Sequence, residues 1–142
     1  RKELAESVRA LVKLGKYKLY GTPGTSKYYK DKHGIDLELV TKPENESDDS
    51  PGTALYEIKQ GKIDLVVNVS DGTGRKDELT AGYLIRRASV DFGVSLITNV
   101  KCAVELVICL ERGMDKEDAF VPRHIGEYYK IPSVGWTLNS LT

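Results

Sequence analysis

Residues 61–69 read Gly61-Lys62-Ile63-Asp64-Leu65-Val66-Val67-Asn68-Val69, a nearly unbroken aliphatic run that opens on a glycine. A strand with one wet face alternates apolar and polar residues. A run like this one is expected to be covered on both faces, as in a parallel sheet. On its amino side, Ala54, Leu55 and Ile58 fall at helical spacing and are closed by Gly61. On its carboxyl side come a glycine-containing loop, Ser70 to Asp77, and a helical pattern, Leu79 to Phe92, stopped by Gly93. Val94 to Thr98 then reads as a strand, and Val100, Ala103, Val104, Val107 and Ile108 as a helix ended by Gly113. Further upstream, Ile35 to Thr41 suits an edge strand, with Leu37 and Leu39 alternating. Thr25 to Lys32 is predicted as a helix ending before Gly34, and Tyr17 to Tyr20 as a short strand. Leu4, Ala5, Val8, Leu11 and Val12 form an amphipathic helix that stops at Gly15. Strand and helix alternate throughout, which predicts an α/β sandwich built on a parallel sheet. Four strands are legible, and the opening helix implies another just upstream of Arg1.

A chain of 142 residues has the length of one domain and can bury a real core. Basic and acidic residues both number 21, so the basic excess of a duplex-gripping domain is missing and nucleic acid is not an expected partner. No apolar run reaches the roughly 18 residues of a membrane helix. No signal peptide is evident, and the chain starts at Arg1 without a Met, so it reads as part of something longer. A cytoplasmic setting is expected. Cys102 and Cys109 stand two helical turns apart, about 10 Å, too far for a disulfide. They also lack paired zinc-ligand spacing, and are expected to be buried packing thiols. Pro43 to Gly52 carries Glu44, Glu46, Asp48 and Asp49 without a large apolar residue, and is expected to be a mobile surface loop. Met114 to Thr142 is less legible. Its Phe120, Tyr128, Tyr129 and Trp136 predict packing onto the domain or a neighbour. The division expected is a domain over residues 1–113 and an extension over 114–142.

In an open parallel sheet, ligands sit beyond the carboxyl ends of the strands. Thr22, Gly24 and Thr25 lie there after the first legible strand, and Thr41 and Lys42 after the second. Asn68, Ser70, Asp71, Gly72, Thr73, Gly74, Arg75 and Lys76 follow the third, and Thr98 and Asn99 the fourth. This rim is rich in hydroxyls, amides, glycines and cations, with no histidine. Thr22-Pro23-Gly24-Thr25 leads straight into a helix, whose N-terminus offers unpaired N–H groups and about half a positive charge. Gly24 allows close backbone approach and the threonines add donors, which together make a phosphate cradle. The alternative is that Thr25 is simply the helix N-cap. Asp71 to Lys76 lacks Walker spacing, but its two cations can meet an anion, as can those of Lys2 and Lys42. Arg86 and Arg87 are about 100° apart on a helix, so one is expected to pair within the fold and the other to be solvated. His33 reads as a cap or surface group, and the sequon-like Asn45-Glu46-Ser47 and Asn68-Val69-Ser70 are discounted.

The ordered series Tyr17-Lys18-Leu19-Tyr20-Gly21-Thr22-Pro23-Gly24-Thr25, His33-Gly34-Ile35, Gly61 to Asn68 and Ile85-Arg86-Arg87-Ala88 resembles the C-terminal allosteric domain of carbamoyl-phosphate synthase large chains. The resemblance covers about Lys2 to Leu110. It implies a methylglyoxal-synthase-like fold, a three-layer sandwich whose parallel sheet has five strands, the first of them upstream of Arg1. It also implies a regulatory rather than catalytic domain. In bacterial relatives a nucleotide monophosphate binds at the rim, through positions matching Lys2, Thr22, Thr25, Lys42, Asn68, Ser70 and Arg75, with Gly24 in the turn. The implied partners are a phosphorylated effector of the UMP or UTP, IMP or phosphoribosyl pyrophosphate kind and synthetase domains of the same chain. ATP with Mg or Mn would belong to the parent enzyme, and no cofactor to this domain. Ser70 replaces a common Thr, and the acidic loop is longer than in bacterial relatives. Urea-cycle members that sense N-acetylglutamate, and are mitochondrial, carry Trp where Lys42 stands, as do several large cytosolic eukaryotic members; the acetylglutamate alternative is weakened accordingly. Methylglyoxal synthase, a lyase acting on dihydroxyacetone phosphate, needs a carboxylate base. Its acidic stretch corresponds here to Ser50-Pro51-Gly52-Thr53-Ala54, and its loop His to Lys76-Asp77-Glu78. The related IMP-forming purine enzyme has a Lys-Thr-Leu-His-Pro stretch that this chain lacks.

Overall fold

The computed structural model describes residues 2–69, 76–114 and 124–128, with the backbone alone at 76–80 and 127–128. A 3-10 turn, Lys2–Leu4, leads into α1, Ala5–Leu14. Then follow β1 (Tyr20–Gly21), α2 (Pro23–His33), β2 (Glu38–Leu39), α3 (Ala54–Lys59) and β3 (Leu65–Val67). The order continues with α4 (Lys76–Asp91), β4 (Ser95–Ile97), α5 (Val100–Glu111) and α6 (Ile125–Tyr128). Every expected alternation up to Gly113 is present. The helix stops fall where the glycines predicted them: Gly15 ends α1 and Gly34 ends α2, both in the left-handed region that a side chain disfavours. At the second stop the Gly34 N–H reaches the Lys30 carbonyl and the Ile35 N–H the Tyr29 carbonyl. This double bond pattern turns the chain back toward β2.

The strands pair in parallel, β1 with β2 and β3 with β4, as two two-stranded sheets. The ladder bonds run past the strand ends: Val40 N–H to the Gly21 carbonyl (3.0 Å) and Asn68 N–H to the Ile97 carbonyl (2.9 Å). Beyond β2, Thr41 bridges to Thr53 just before α3. Both pairs rest on the same helical layer. Val40, Leu55, Ile58, Leu84, Ile85 and Ala88 form its cluster, with Tyr20 of β1 and Val66 of β3 packed against it. Residues of opposite parity feed a second cluster of Ala5, Tyr29 and Ile35, joined by Val8, Tyr28 and Leu37. Val40 and Leu37 thus take opposite faces, as the two-residue strand period requires, and helices flank both.

Two sequence expectations fail here. Among the described residues the run 63–69 is not covered on both faces: Val66 packs inward, while Leu65, Val67 and Val69 are 38%, 44% and 37% exposed. They alternate with Val66, so they line the face that the described residues leave open. The thiols are not buried either. Cys102 is exposed and Cys109 half-buried, both free. On α5 the inward positions are Ala103 and Val107, and the cysteines lie off that stripe. The packing predicted for Phe120, Tyr129, Trp136 and the Tyr128 side chain lies outside the described residues.

Candidate functional site

The turn between β1 and α2 is built from its backbone outward. Thr22 is the N-cap, extended at φ −67° and ψ 159°, and Pro23 takes the first helical position. There its fixed φ suits the helix and its missing N–H costs nothing. The Thr22 carbonyl accepts from both the Thr25 N–H and the Ser26 N–H at 2.8 Å. Its hydroxyl does not cap the helix but donates to Thr25 Oγ1 at 3.3 Å. The helix therefore starts at Pro23, two residues before the expected Thr25, and Thr25 is not its cap. One consequence narrows the predicted cradle. Pro23 has no N–H, and that of Thr25 is taken, so the Gly24 amide is left without an acceptor among the described residues. A single amide and two mutually bonded, half-buried hydroxyls stand at the positive end of an eleven-residue helix.

The approach of β1 to α2 depends on Gly21. A Cβ there would lie 2.6 Å from Ser26 Oγ and 2.9 Å from Leu37 Cδ1. Ser26 Oγ instead donates to the Gly21 carbonyl at 3.0 Å and ties the first helical turn to the strand end.

The other predicted rim residues are dispersed over several elements. Lys2 is exposed on the 3-10 turn, which packs against α1 and α5. Lys42 is exposed just past the Thr41–Thr53 bridge, and lines a shallow polar depression of about 530 Å³ with Glu44, Asp48 and Asp49. Its charge thus sits in acidic surroundings. Asn68 follows β3 directly and is half-buried. Ser70 and Arg75, with the rest of 70–75, lie outside the described residues. Asn99 is occupied as the cap of α5, its Oδ1 accepting from the Lys101 N–H (2.8 Å) and the Cys102 N–H (3.3 Å).

The acidic loop is tied together rather than left open. The Asp48 carboxylate accepts from the Glu44 N–H at 3.0 Å and the Ser50 N–H at 3.1 Å. Asn45 Oδ1 takes the Ser47 N–H at 2.9 Å, and Lys59 pairs with Asp49. The bonds from Glu44 and Ser50 hold the Asp48 carboxyl below its ordinary range, because they favour the charged form. Local side chain to backbone bonds of this kind are what Asp and Asn do in turns.

Two residues that sequence reasoning did not assign to the site reach it. Arg86 Nη1 donates to Asn68 Oδ1 at 3.0 Å, and Asn68 Nδ2 donates to the Gly82 carbonyl at 3.3 Å. Arg87 turns the other way, to Asp91 at 3.0 Å and Tyr83 at 3.5 Å. Arg86 is thus the half-buried arginine that pairs within the fold, and Arg87 the exposed one, as the sequence led one to expect. Their opposed directions follow from the 100° step, the one signal that pointed to them. His33, at the end of α2, bonds through Nδ1 to Arg9 at 3.2 Å and packs against the rings of Tyr28 and Tyr29. Among the described residues no three His, Cys, Asp or Glu side chains gather as a metal site would require, and no helix is long and apolar enough to cross a membrane.

Comparison with known proteins now adds to this geometry. The model of the MGS-like domain family matches residues 3–98. The carbamoyl phosphate synthase large chain of Methanosarcina mazei is 36% identical over 129 residues, covering 90% of this chain and 11% of its own. The multifunctional protein URA2 of Saccharomyces cerevisiae is 32% identical over 119 residues, covering 80% of this chain and 5% of its own. The C-terminal section of the carbamoyl phosphate synthase large chain of Methanopyrus kandleri is 36% identical over 114 residues, covering 80% and 20%. The chain thus spans a fifth or less of the length of these relatives. A match over 3–98, on a chain whose strands and helices alternate through the same stretch, makes this protein a member of the MGS-like domain family.

Proposed function

We propose that this chain is the effector-sensing domain of a glutamine-dependent carbamoyl-phosphate synthase and performs no chemistry of its own. The observation that carries the reading is the turn at residues 22–25. A free amide and two hydroxyls meet the positive end of α2, at the carboxyl edge of a parallel strand pair, where such folds take phosphorylated ligands. The phosphate docks on Gly24 N–H, Thr22 and Thr25. Asn68 contacts the remainder of a nucleotide-like or sugar-phosphate effector, with Lys2 and Lys42 as cations that close over it. Binding favours one arrangement of the domain against its synthetase neighbours, and shifts activity only by the difference in affinity between the two arrangements, about 1–3 kcal/mol. ATP and its metal are bound elsewhere in the parent enzyme.

The lyase reading is disfavoured by Asp48. Its carboxylate is committed to the backbone of Glu44 and Ser50, which lowers its basicity instead of raising it.

The two strand pairs are proposed to be halves of one five-stranded sheet. β1 and β3 each keep an unpaired edge among the described residues, and both lean on the α3–α4 layer. A strand preceding α1 would reach β1 by the right-handed crossover that parallel strands require.

A thermal-shift panel with UMP, UTP, IMP, phosphoribosyl pyrophosphate, N-acetylglutamate and dihydroxyacetone phosphate tests the sensor. A ligand at 100 times its Kd adds about 2.7 kcal/mol. Stabilisation by a phosphorylated member that Thr25→Val abolishes supports the reading. Formation of methylglyoxal from dihydroxyacetone phosphate, or stabilisation that Thr25→Val leaves intact, refutes it.

A further inference from the structure

Asn68 is held at both ends of its carboxamide. Arg86 Nη1 donates to Oδ1 and Nδ2 donates to the Gly82 carbonyl, at 3.0 and 3.3 Å. A guanidinium has no acceptor and a carbonyl has no donor. These two partners therefore decide which end of the amide is oxygen. Among the described residues they also leave it one unused Nδ2–H and one unused lone pair on Oδ1. The backbone adds a third constraint, since the Asn68 N–H is in the ladder to Ile97.

The support comes from one turn of α4. Gly82 and Arg86 are four residues apart and so share a face. A Cβ on Gly82 would stand 3.3 Å from Arg86 Nη1 and 3.6 Å from Asn68 Oδ1. The glycine is not needed for its backbone, which is ordinary helix. Its use is to let a guanidinium and an amide lie flat against the helix.

We propose that Arg86 is a positioning residue that fixes the Asn68 carboxamide, so that Asn68 meets a bound effector as a hydrogen-bond donor. A positive charge on Oδ1 polarises the amide and strengthens its remaining N–H. The group it selects is an acceptor oxygen, such as a sugar hydroxyl or a base carbonyl, away from the phosphate that sits on α2. This inference rests on the rim being the effector site.

The test uses the full chain, with UMP, IMP and inorganic phosphate as probes in titration calorimetry. Arg86→Met keeps the aliphatic stem and removes the donor. The expected result is a loss of about tenfold in affinity for UMP or IMP, the weight of one hydrogen bond, with phosphate affinity unchanged. In an Asn68→Ala background the same substitution should cost nothing more. Gly82→Ala, a helix-favouring change, disturbs the pair from the opposite side and should weaken nucleotide binding without lowering the melting temperature. If Arg86→Met costs as much without Asn68 as with it, Arg86 acts on the ligand or through the fold, and the proposal is wrong. The ¹⁵N spectrum separates this from failure of the site reading. In the unliganded parent the Asn68 side-chain amide protons should be dispersed and slow to exchange, and in Arg86→Met they should collapse to exposed-amide values. A side-chain amide already at exposed values in the parent overturns the positioning role. An ordered amide in a chain that binds none of the three probes overturns its service to a ligand.

Discussion

Replacing Gly21 by alanine asks whether β1 and α2 are in the contact described. The new methyl carbon would be 2.6 Å from Ser26 Oγ, 2.9 Å from Leu37 Cδ1 and 3.3 Å from the Ser26 nitrogen. The leucine methyl is the far end of a flexible side chain and can turn away. Ser26 cannot move as easily, because its hydroxyl is bonded to the Gly21 carbonyl and its N–H to the Thr22 carbonyl. Overpacking of this kind costs about 1–3 kcal/mol, and loss of the Ser26 hydroxyl bond adds about 1 kcal/mol. The reduced freedom of the unfolded chain returns about 0.4–1 kcal/mol. The net loss is about 2 kcal/mol. Unfolding entropy of about 2.1 cal/mol/K per residue makes this about 7 °C in Tm for a chain of this size. Scanning calorimetry of Gly21→Ala should record that fall. In a Ser26→Ala background the closest clash is gone, and the penalty of the second substitution should drop by about half. A Tm within 2 °C of the parent, or an undiminished penalty in the Ser26→Ala background, would refute the packing between strand end and first helical turn.

Two further outcomes follow from burial and from charge. Ile58→Ala, at 2% exposure in the α3–α4 cluster, should cost about 2–5 kcal/mol in urea unfolding, against less than about 0.5 kcal/mol for Val90→Ala at 70% exposure; equal losses would contradict the cluster. The Asp48 carboxyl is held below its ordinary range, so its contribution is present above the unfolded value near 3.9 and lost as pH falls through the lower folded one. An NMR titration should place its midpoint below that of a peptide aspartate. Asp48→Asn should flatten the acid limb of the stability curve below about pH 4, and a midpoint at or above the ordinary value would mean the loop is not closed as described.

The order of elements was legible because local signals agreed: helical spacing over 4–12, 54–58 and 100–108, a glycine at each stop, and β-branched residues at 63–69. What eluded the sequence depends on which chain segments are neighbours. The run at 63–69 is apolar on both sides, and apolarity alone does not say that the face bearing Leu65 and Val67 is left open. The acidic loop was read as mobile from composition, and the two backbone bonds to Asp48 were not visible in it. Thr22 and Thr25 were found from their place before a helix, but the proline between them sets which one is the cap. Arg86 and Gly82 escaped because their partner is 14 to 18 residues away across the fold. Lys42 was found from its place after the second strand and Lys2 as a further cation, and the two stand on different elements, before α1 and past β2.

Tyr20 and Val66 belong to different strand pairs yet rest on the same pair of helices. Within the described residues no ladder bond passes from one pair to the other. Among the described residues the two pairs are therefore joined through interlocked side chains such as Leu55, Ile58 and Leu84. Side-chain packing can slide by small steps where a hydrogen-bonded ladder must break. The half carrying the threonine turn would be free to tilt on this layer relative to the half carrying Asn68 only without a strand laddered between them, and the proposed fifth strand would lock the two together.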